Sequence, residues 1–400
     1  MNAHSTEKGS EHILRSVTVK NTDDSIAGLG GRVLGVRVSS SVSFETPIRP
    51  ITSEEITSKS YLGYRGELQG QMAALPLYMG GQIFERFMKN NGTVKRIRDD
   101  LISHASSTFY LINYPILQMP PVAAGEKAEK IAYELQCYAP MLDYVTMPPL
   151  ECNADIFEKR ILNWCESADS IEDGRGCVPQ LSFTEEPELF ESKLKKIANL
   201  SKTGCINVVN IQYASPLTHP HQYAALWSMR DDLQALINCS AVPPKENELV
   251  PGMSYDMETQ LLRYGIDSIS RKKYPIPPKF IAKRNMEPPP SDLDNIDSFD
   301  YAVHPASIRI DSNKWMSMPH DTDCNCTVCR GRTRDELVDA FGYDDVGNIS
   351  RSGLRYFSKM HDQQSDILEL TSIRKYISSN NMRDYEERIK EEQSKYANAI

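Results

Sequence analysis

Eight short apolar runs, rich in β-branched and aromatic residues, recur along the chain at intervals that one strand, one helix and two short loops consume. They begin near Thr46, Leu75, Ser107, Asp143, Cys177, Cys205, Leu236 and Gly265, so successive starts lie 29, 32, 36, 34, 28, 31 and 29 residues apart. Parallel strands need crossovers of about this length, and eight such units predict an α/β chain folded as a (β/α)8 TIM barrel over residues 46–274. The intervening segments carry helical period: Phe190, Leu194 and Ile197 fall at i, i+4 and i+7, with Lys193, Lys195 and Lys196 expected on the outer face. A doubly wound open sheet is the alternative. Its Gly-rich phosphate turn is missing, because Gly28, Gly30 and Gly31 precede the first confident run and Gly80 and Gly81 lack the rest of the fingerprint.

With 400 residues, 40% hydrophobic and 25% charged, the chain can bury a core. No apolar run reaches the roughly 20 residues of a membrane span. The first ten residues have no apolar h-region of a secretory signal, so a cytoplasmic protein is expected. A net charge of −9 argues against a uniformly basic surface for coating nucleic acid and leaves room for a local basic patch. Residues 1–45 contain an alternating run, Arg32 to Val38, expected as a hairpin or lid against one end of the barrel. Residues 275–320 open with Pro275, Pro277, Pro278, Pro288, Pro289 and Pro290 and read as an extended connection to a helical subdomain at 321–400.

Of nine cysteines, Cys137, Cys152, Cys165, Cys177, Cys205 and Cys239 are scattered through apolar segments and read as buried reduced thiols. Cys324, Cys326 and Cys329 instead fall within six residues, which is how a soft four-coordinate site draws most of its ligands from one knuckle. His361, 32 residues after Cys329, is the natural fourth ligand, with His320 closer but more constrained. A structural Zn2+ is expected, against the alternative of free or redox cysteines.

A (β/α)8 barrel followed by CxCxxC, a histidine about 30 residues on and terminal helices resembles the tRNA-guanine transglycosylase family. That family includes the queuine and archaeosine enzymes and relatives that insert 7-deazaguanines into DNA. The resemblance is carried by CNCTVCRGRT and KMHDQQSDILELTSIRKYI, similar to the family's zinc subdomain in ligand order and helix pattern. It implies exchange of guanine for a 7-deazaguanine in tRNA or DNA, through carboxylate attack on the sugar C1′. One family aspartate lies on the third strand in a DSGGFQ-type motif, and the nucleophile lies on the eighth in a DxFD-type motif.

The chain departs from that pattern at the reacting positions. Asn113 stands over the third-strand aspartate, and an amide cannot serve as a carboxylate. On the eighth strand Asp267 keeps the first aspartate while Ser270 takes the nucleophile's place; Asp297-Ser298-Phe299-Asp300 spells the motif better but follows a proline-rich acidic loop. The implied base pocket then holds Asn113, Gln180, Ser270 and Leu150 or Glu151, with Val209, Asn210 and Ile211 where the family has glycines. Catalytic candidates are Asp267 and, after it, Asp300.

Arg271, Lys272, Lys273, Lys279, Lys283 and Arg284 follow the eighth strand without an intervening acid. They read as a phosphate-contacting stretch for tRNA or DNA or, alternatively, as a solvated basic loop. Asp267 reads equally as a hydrogen-bonded structural residue, Asp297 and Asp300 as linker charges, and His219 and His221 as a Pro-containing helix entry. Two functions follow: a transglycosylase with altered substrate choice, or a non-catalytic zinc-bearing paralogue that binds nucleic acid or pairs with an active subunit. Through the resemblance, a homodimer or a heterodimer with an active paralogue is the expected assembly.

Overall fold

The computed structural model of the chain describes residues 13–26, 29–38, 42–51, 72–79, 82–107, 112–139, 141–171, 174–243, 245–271, 300–303, 308–311, 314, 324, 326, 328–343, 345, 347 and 350–398. Its strands begin with β1 (Ser16–Thr22), β2 (Arg32–Arg37), β3 (Ser43–Glu45), β4 (Met72–Tyr78), β5 (Ile112–Gln118), β6 (Val122–Ala123), β7 (Tyr144–Thr146) and β8 (Leu150–Glu151). They continue with β9 (Gly176–Val178), β10 (Gln180–Ser182), β11 (Val208–Gln212), β12 (Leu236–Val242), β13 (Lys245–Val250), β14 (Met253–Asp256), β15 (Ser268–Arg271), β16 (Asp300–Val303) and β17 (Ile308–Asp311). The helices are α1 (Gln82–Lys89), α2 (Asn91–Ser107), α3 (Lys127–Cys137), α4 (Ala154–Asp169), α5 (Pro187–Lys202), α6 (Pro220–Ser228), α7 (Met257–Leu261), α8 (Arg334–Phe341), α9 (Arg351–Ser378) and α10 (Met382–Asn398). None is long and apolar enough to cross a membrane.

The chain divides into two compact units, one of residues 1–242, 261–272 and 373–383, the other of 243–260, 273–372 and 384–400. The units interleave along the sequence, where the sequence reading draws contiguous blocks at 1–45, 46–274, 275–320 and 321–400.

The first unit is mixed α/β with parallel sheets. β10, β11, β12 and β15 pair in that order, all parallel, and β4 pairs parallel with β5, β6 with β8 and β7 with β9. Isolated parallel bridges join Ile48 to Ser268 and Ile51 to Ala73. Helices alternate with these strands as the spacing predicts. In α5, Phe190, Leu194 and Ile197 are fully buried, but Lys193 corrects the expectation of a solvated face. Its ammonium is buried and donates to the Leu150 carbonyl at 2.8 Å and to Glu185 at 2.7 Å.

β1, β2 and β3 form an antiparallel sheet. Leu14, Val17, Leu34, Val36 and Val38 share a core cluster with Met72, Ile112, Tyr144, Val208 and Leu236. Those last five residues are each the first of their strand, so this sheet closes the N-terminal ends of the parallel strands and leaves their C-terminal ends to other groups.

The second unit contains an antiparallel sheet in the order β13-β14-β17-β16, which the sequence reading divided between the barrel and the connection. β13 and β14 meet at Pro251-Gly252, where Gly252 has φ +81, a conformation that favours glycine. Met253, Ile308 and Ile310 of this sheet pack with Cys326, Val328, Cys329, Leu337, Phe341 and Tyr396.

Candidate functional site

The cysteine knuckle turns tightly in the second unit: the Cys329 N–H donates to the Cys326 sulfur at 3.4 Å and the Arg330 N–H to the Cys326 carbonyl at 2.8 Å. Thr333 and Glu336 form a capping box that starts α8 just beyond it. α9 brings His361 back so that its Nδ1 lies 3.6, 3.4 and 3.1 Å from the sulfurs of Cys324, Cys326 and Cys329. All four ligand atoms lie within 4.8 Å of one another, close enough to converge on one tetrahedral metal ion after small side-chain adjustments. Hydrogen bonds from Cys326 and Cys329 hold the Cys324 thiol below its ordinary value. Ser365 lies 3.3 Å from His361 Nε2, an outer-shell contact that orients the ring. Behind the site, Arg309 of β17 pairs with Asp256 of β14 at 3.2 Å and with Asp362, next to the ligand histidine, at 3.1 Å. The set Cys324, Cys326, Cys329 and His361 can therefore hold a metal ion. The other histidine considered, His320, lies outside the described residues, as do Asp297 and the basic residues Lys272, Lys273, Lys279, Lys283 and Arg284.

A second concentration of polar groups lies in the first unit, where Gln180, Asn210, Asn238 and Ser268 are successive cross-strand neighbours on β10, β11, β12 and β15. Asn238 Nδ2 donates to Asn210 Oδ1 at 2.8 Å, and Ser268 and Ser270 both donate to Asn238 Oδ1, at 2.9 and 3.0 Å. Asn210 Nδ2 donates to Ser240 at 3.0 Å. Gln180 and Gln212 donate to the Leu117 carbonyl, at 2.9 and 3.2 Å. Tyr114 is fully buried in the core cluster, and that burial pushes its phenol up.

Gln118 ends β5 with 7% exposure, and among the described residues neither of its side-chain polar atoms has a partner; Gln180 Oε1, fully buried, also has none there. This row consists of amides and hydroxyls only. Glu185, three residues beyond Ser182, already accepts the Ser182 N–H and the Lys193 ammonium.

No protein-family model matches the chain, and no curated protein matches it. Function therefore rests on the residues themselves.

Asp267, the first catalytic candidate, is one half of a buried ion pair, as its structural reading anticipates. Both it and Arg32 are fully buried; Arg32 Nε and Nη2 donate to its two oxygens at 2.9 and 2.6 Å, and the Ile237 N–H adds a third bond at 2.8 Å. Burial pushes the carboxyl above its ordinary value, opposed by Arg32. The remaining Arg32 donors reach the carbonyls of Arg230, Leu233 and Ala235. Asp267 precedes β15, at the end that enters the sheet, away from the polar row's outer members.

Asn113, expected in the base pocket, is held by partners away from the polar row. Strand alternation places it opposite Tyr114, and its amide donates to the Met141 carbonyl at 3.1 Å while its N–H binds Asp143 at 2.6 Å, anchoring the approach to β7. Asp300 lies in the second unit, paired with Asp311 across β16 and β17, and so is not on a parallel strand. Glu151 ends β8 with its side chain exposed. Ser270 and Gln180 do belong to the polar row, and Arg271 directly follows Ser270. His219 Nδ1 sits 2.7 Å from the Thr218 hydroxyl at the start of α6, the helix-entry reading.

Sequence reading missed Gln118, Asn210, Gln212, Asn238 and Ser240 as one group. The available signal was polar residues at alternate positions in otherwise apolar strands, as in Val208-Val209-Asn210-Ile211-Gln212 and Leu236-Ile237-Asn238-Cys239-Ser240.

Proposed function

We propose that the chain is a (β/α)8 barrel protein with a structural zinc ion that recognises a guanine- or 7-deazaguanine-like base of tRNA or DNA through neutral hydrogen bonds, without itself forming a glycosyl-enzyme bond. It is then a non-catalytic, transglycosylase-like protein that binds nucleic acid or serves as partner to an active paralogue. Barrel closure is supported by the bridges from Ile48 and Ile51, which link the two ends of the parallel strand series through one segment. Zinc suits three thiolates and one imidazole at tetrahedral separations better than harder cations do.

The observation that carries base recognition is that both side-chain polar atoms of Gln118, at the C-terminal end of β5, and the Oε1 of Gln180, the first residue of β10, are buried without a partner among the described residues. An unsatisfied buried amide group costs about 1–3 kcal/mol, a cost that a ligand edge offering both donors and acceptors removes. A neutral row selects a neutral ligand, and ligands of parallel α/β folds enter at the C-terminal ends of strands. Two observations among the described residues support the absence of a glycosyl-enzyme bond: Asp267 is held by Arg32, and Asp300 sits on the antiparallel pair β16–β17.

Calorimetric titration with guanine and with a 7-deazaguanine, on the native protein and on folded Gln118→Leu, tests this reading together with incorporation of labelled guanine into tRNA and DNA. Saturable binding that the variant loses, with no incorporation, is expected. Native protein that binds neither base contradicts base recognition. Incorporation that a folded Asp267→Asn variant abolishes would instead establish the exchange enzyme.

A further inference from the structure

Away from the metal cluster and the polar row, three of the scattered cysteines meet in the first unit. Cys165 lies in the C-terminal half of α4, Cys177 in the middle of β9, and Cys205 in the turn after α5 that leads toward β11. The sulfurs of Cys165 and Cys205 are 3.3 Å apart, and Cys165 also lies 3.8 Å from the Cys205 carbonyl. Cys177 is the neighbour that acts most strongly on the Cys165 thiol. Cys165 and Cys205 are partly exposed, whereas Cys177 is buried at 3% exposure. A small oxidant in solvent therefore reaches the first two more readily than the third.

The geometry points to Cys165 and Cys205 as a dithiol that closes to an intramolecular disulfide when the protein meets hydrogen peroxide. One thiolate attacks a peroxide oxygen, the O–O bond breaks, and the departing hydroxide takes a proton to leave as water. The resulting sulfenic acid sulfur is attacked by the neighbouring thiol, which loses its proton; the S–O bond breaks and a second water leaves. Two thiols are oxidised by two electrons and one peroxide is reduced to two waters. Both sulfurs start about 1.3 Å beyond the bonded separation of roughly 2.05 Å, a gap of the size that side-chain rotation spans.

Reaction speed follows from the surroundings. Hydrogen bonding to Cys177 pushes the Cys165 thiol up, and hydrogen bonding to Cys165 does the same for Cys205, with burial adding to both. Only the thiolate attacks peroxide, so the cross-link forms slowly at neutral pH and faster as pH rises. Proximity, not acidity, selects this pair among the six cysteines outside the metal cluster. Closure would tie α4 to the turn entering β11, the strand that carries Asn210 and Gln212.

The experiment exposes the full-length, zinc-loaded protein to hydrogen peroxide under native conditions, alkylates the remaining thiols, and maps peptides by mass spectrometry without reduction. The expected product is a Cys165–Cys205 linked peptide that forms faster at higher pH, is reversed by dithiothreitol and persists in Cys177→Ser. The oxidised protein should also melt at a higher temperature than the reduced one. A Cys165–Cys177 link, or Cys165 and Cys205 recovered only as free thiols or as sulfinic acids, would overturn the assignment. Since native protein supplies the primary result, misfolding of a cysteine variant does not decide it.

Discussion

The metal cluster draws three of its four ligands from six consecutive residues, whereas the polar row takes its side chains from β5, β10, β11, β12 and β15. The first has all four ligand atoms converging on one point; the second leaves Gln118 and one atom of Gln180 without partners. A closed set of ligands is spent on holding structure. An open set of buried donors and acceptors is held in place by its neighbours and remains available to something else. The contrast separates a region whose polar side chains converge on one another from a region where specific buried atoms are left without partners among the described residues.

The largest effect that can break this comparison is at the knuckle. Cys326→Ser should release the metal and loosen the packing of Cys326 and Cys329 against Ile308, Leu337 and Phe341, because roughly 10–16 kcal/mol of apparent binding free energy is at stake in structural zinc sites. Metal analysis and far-ultraviolet circular dichroism read the loss. Unchanged metal content would contradict the ligand assignment.

Next comes the buried ion pair of Arg32 and Asp267. Arg32→Met leaves a fully buried carboxylate without its counter-charge and should cost about 3–5 kcal/mol in urea unfolding, with the double replacement Arg32→Met/Asp267→Leu recovering most of it. A single variant that unfolds like the native protein would mean the pair contributes little and would reopen a role for Asp267.

Within the row, Asn238→Ala removes the acceptor for two serine hydroxyls and the donor to Asn210, for an expected loss of about 2 kcal/mol. Gln118→Leu should differ in sign. Replacing an unpartnered amide with an apolar side chain of similar volume should leave stability unchanged or raise it by up to about 1 kcal/mol, while base binding disappears. A clear destabilisation by this variant would show that Gln118 serves the fold.

The smallest effect is at the capping box beyond the knuckle. Thr333→Ala should cost about 1 kcal/mol. Bonding to the Thr333 N–H holds Glu336 below its ordinary value of 4.5, so its contribution is present above that value and is lost as pH falls through the lowered one. Acid titration of unfolding should show this component in the native protein and a smaller one in Thr333→Ala.

Much of the strand order was legible because each apolar run carries its own signal: expected starts at Leu75, Cys177 and Leu236 fall on or beside β4, β9 and β12. The antiparallel strand β13 was not, since Lys245-Glu246-Asn247-Glu248-Leu249-Val250 has the composition of a solvated loop. Its strand character comes from pairing with β14, and β14 in turn pairs with β17 more than fifty residues on. Lys193 was misread for a related reason: helical period assigns a face, but the Leu150 carbonyl and Glu185 that receive its ammonium lie elsewhere in the chain.

The sequence by itself determined the cysteine knuckle, because three thiols within six residues meet through local turns and need only one distant histidine to complete the set. Only the tertiary structure decided what Asp267 touches. A carboxylate beside an apolar strand has no partner legible in the sequence around it; here the cation buried with it is Arg32, 235 residues earlier in the chain.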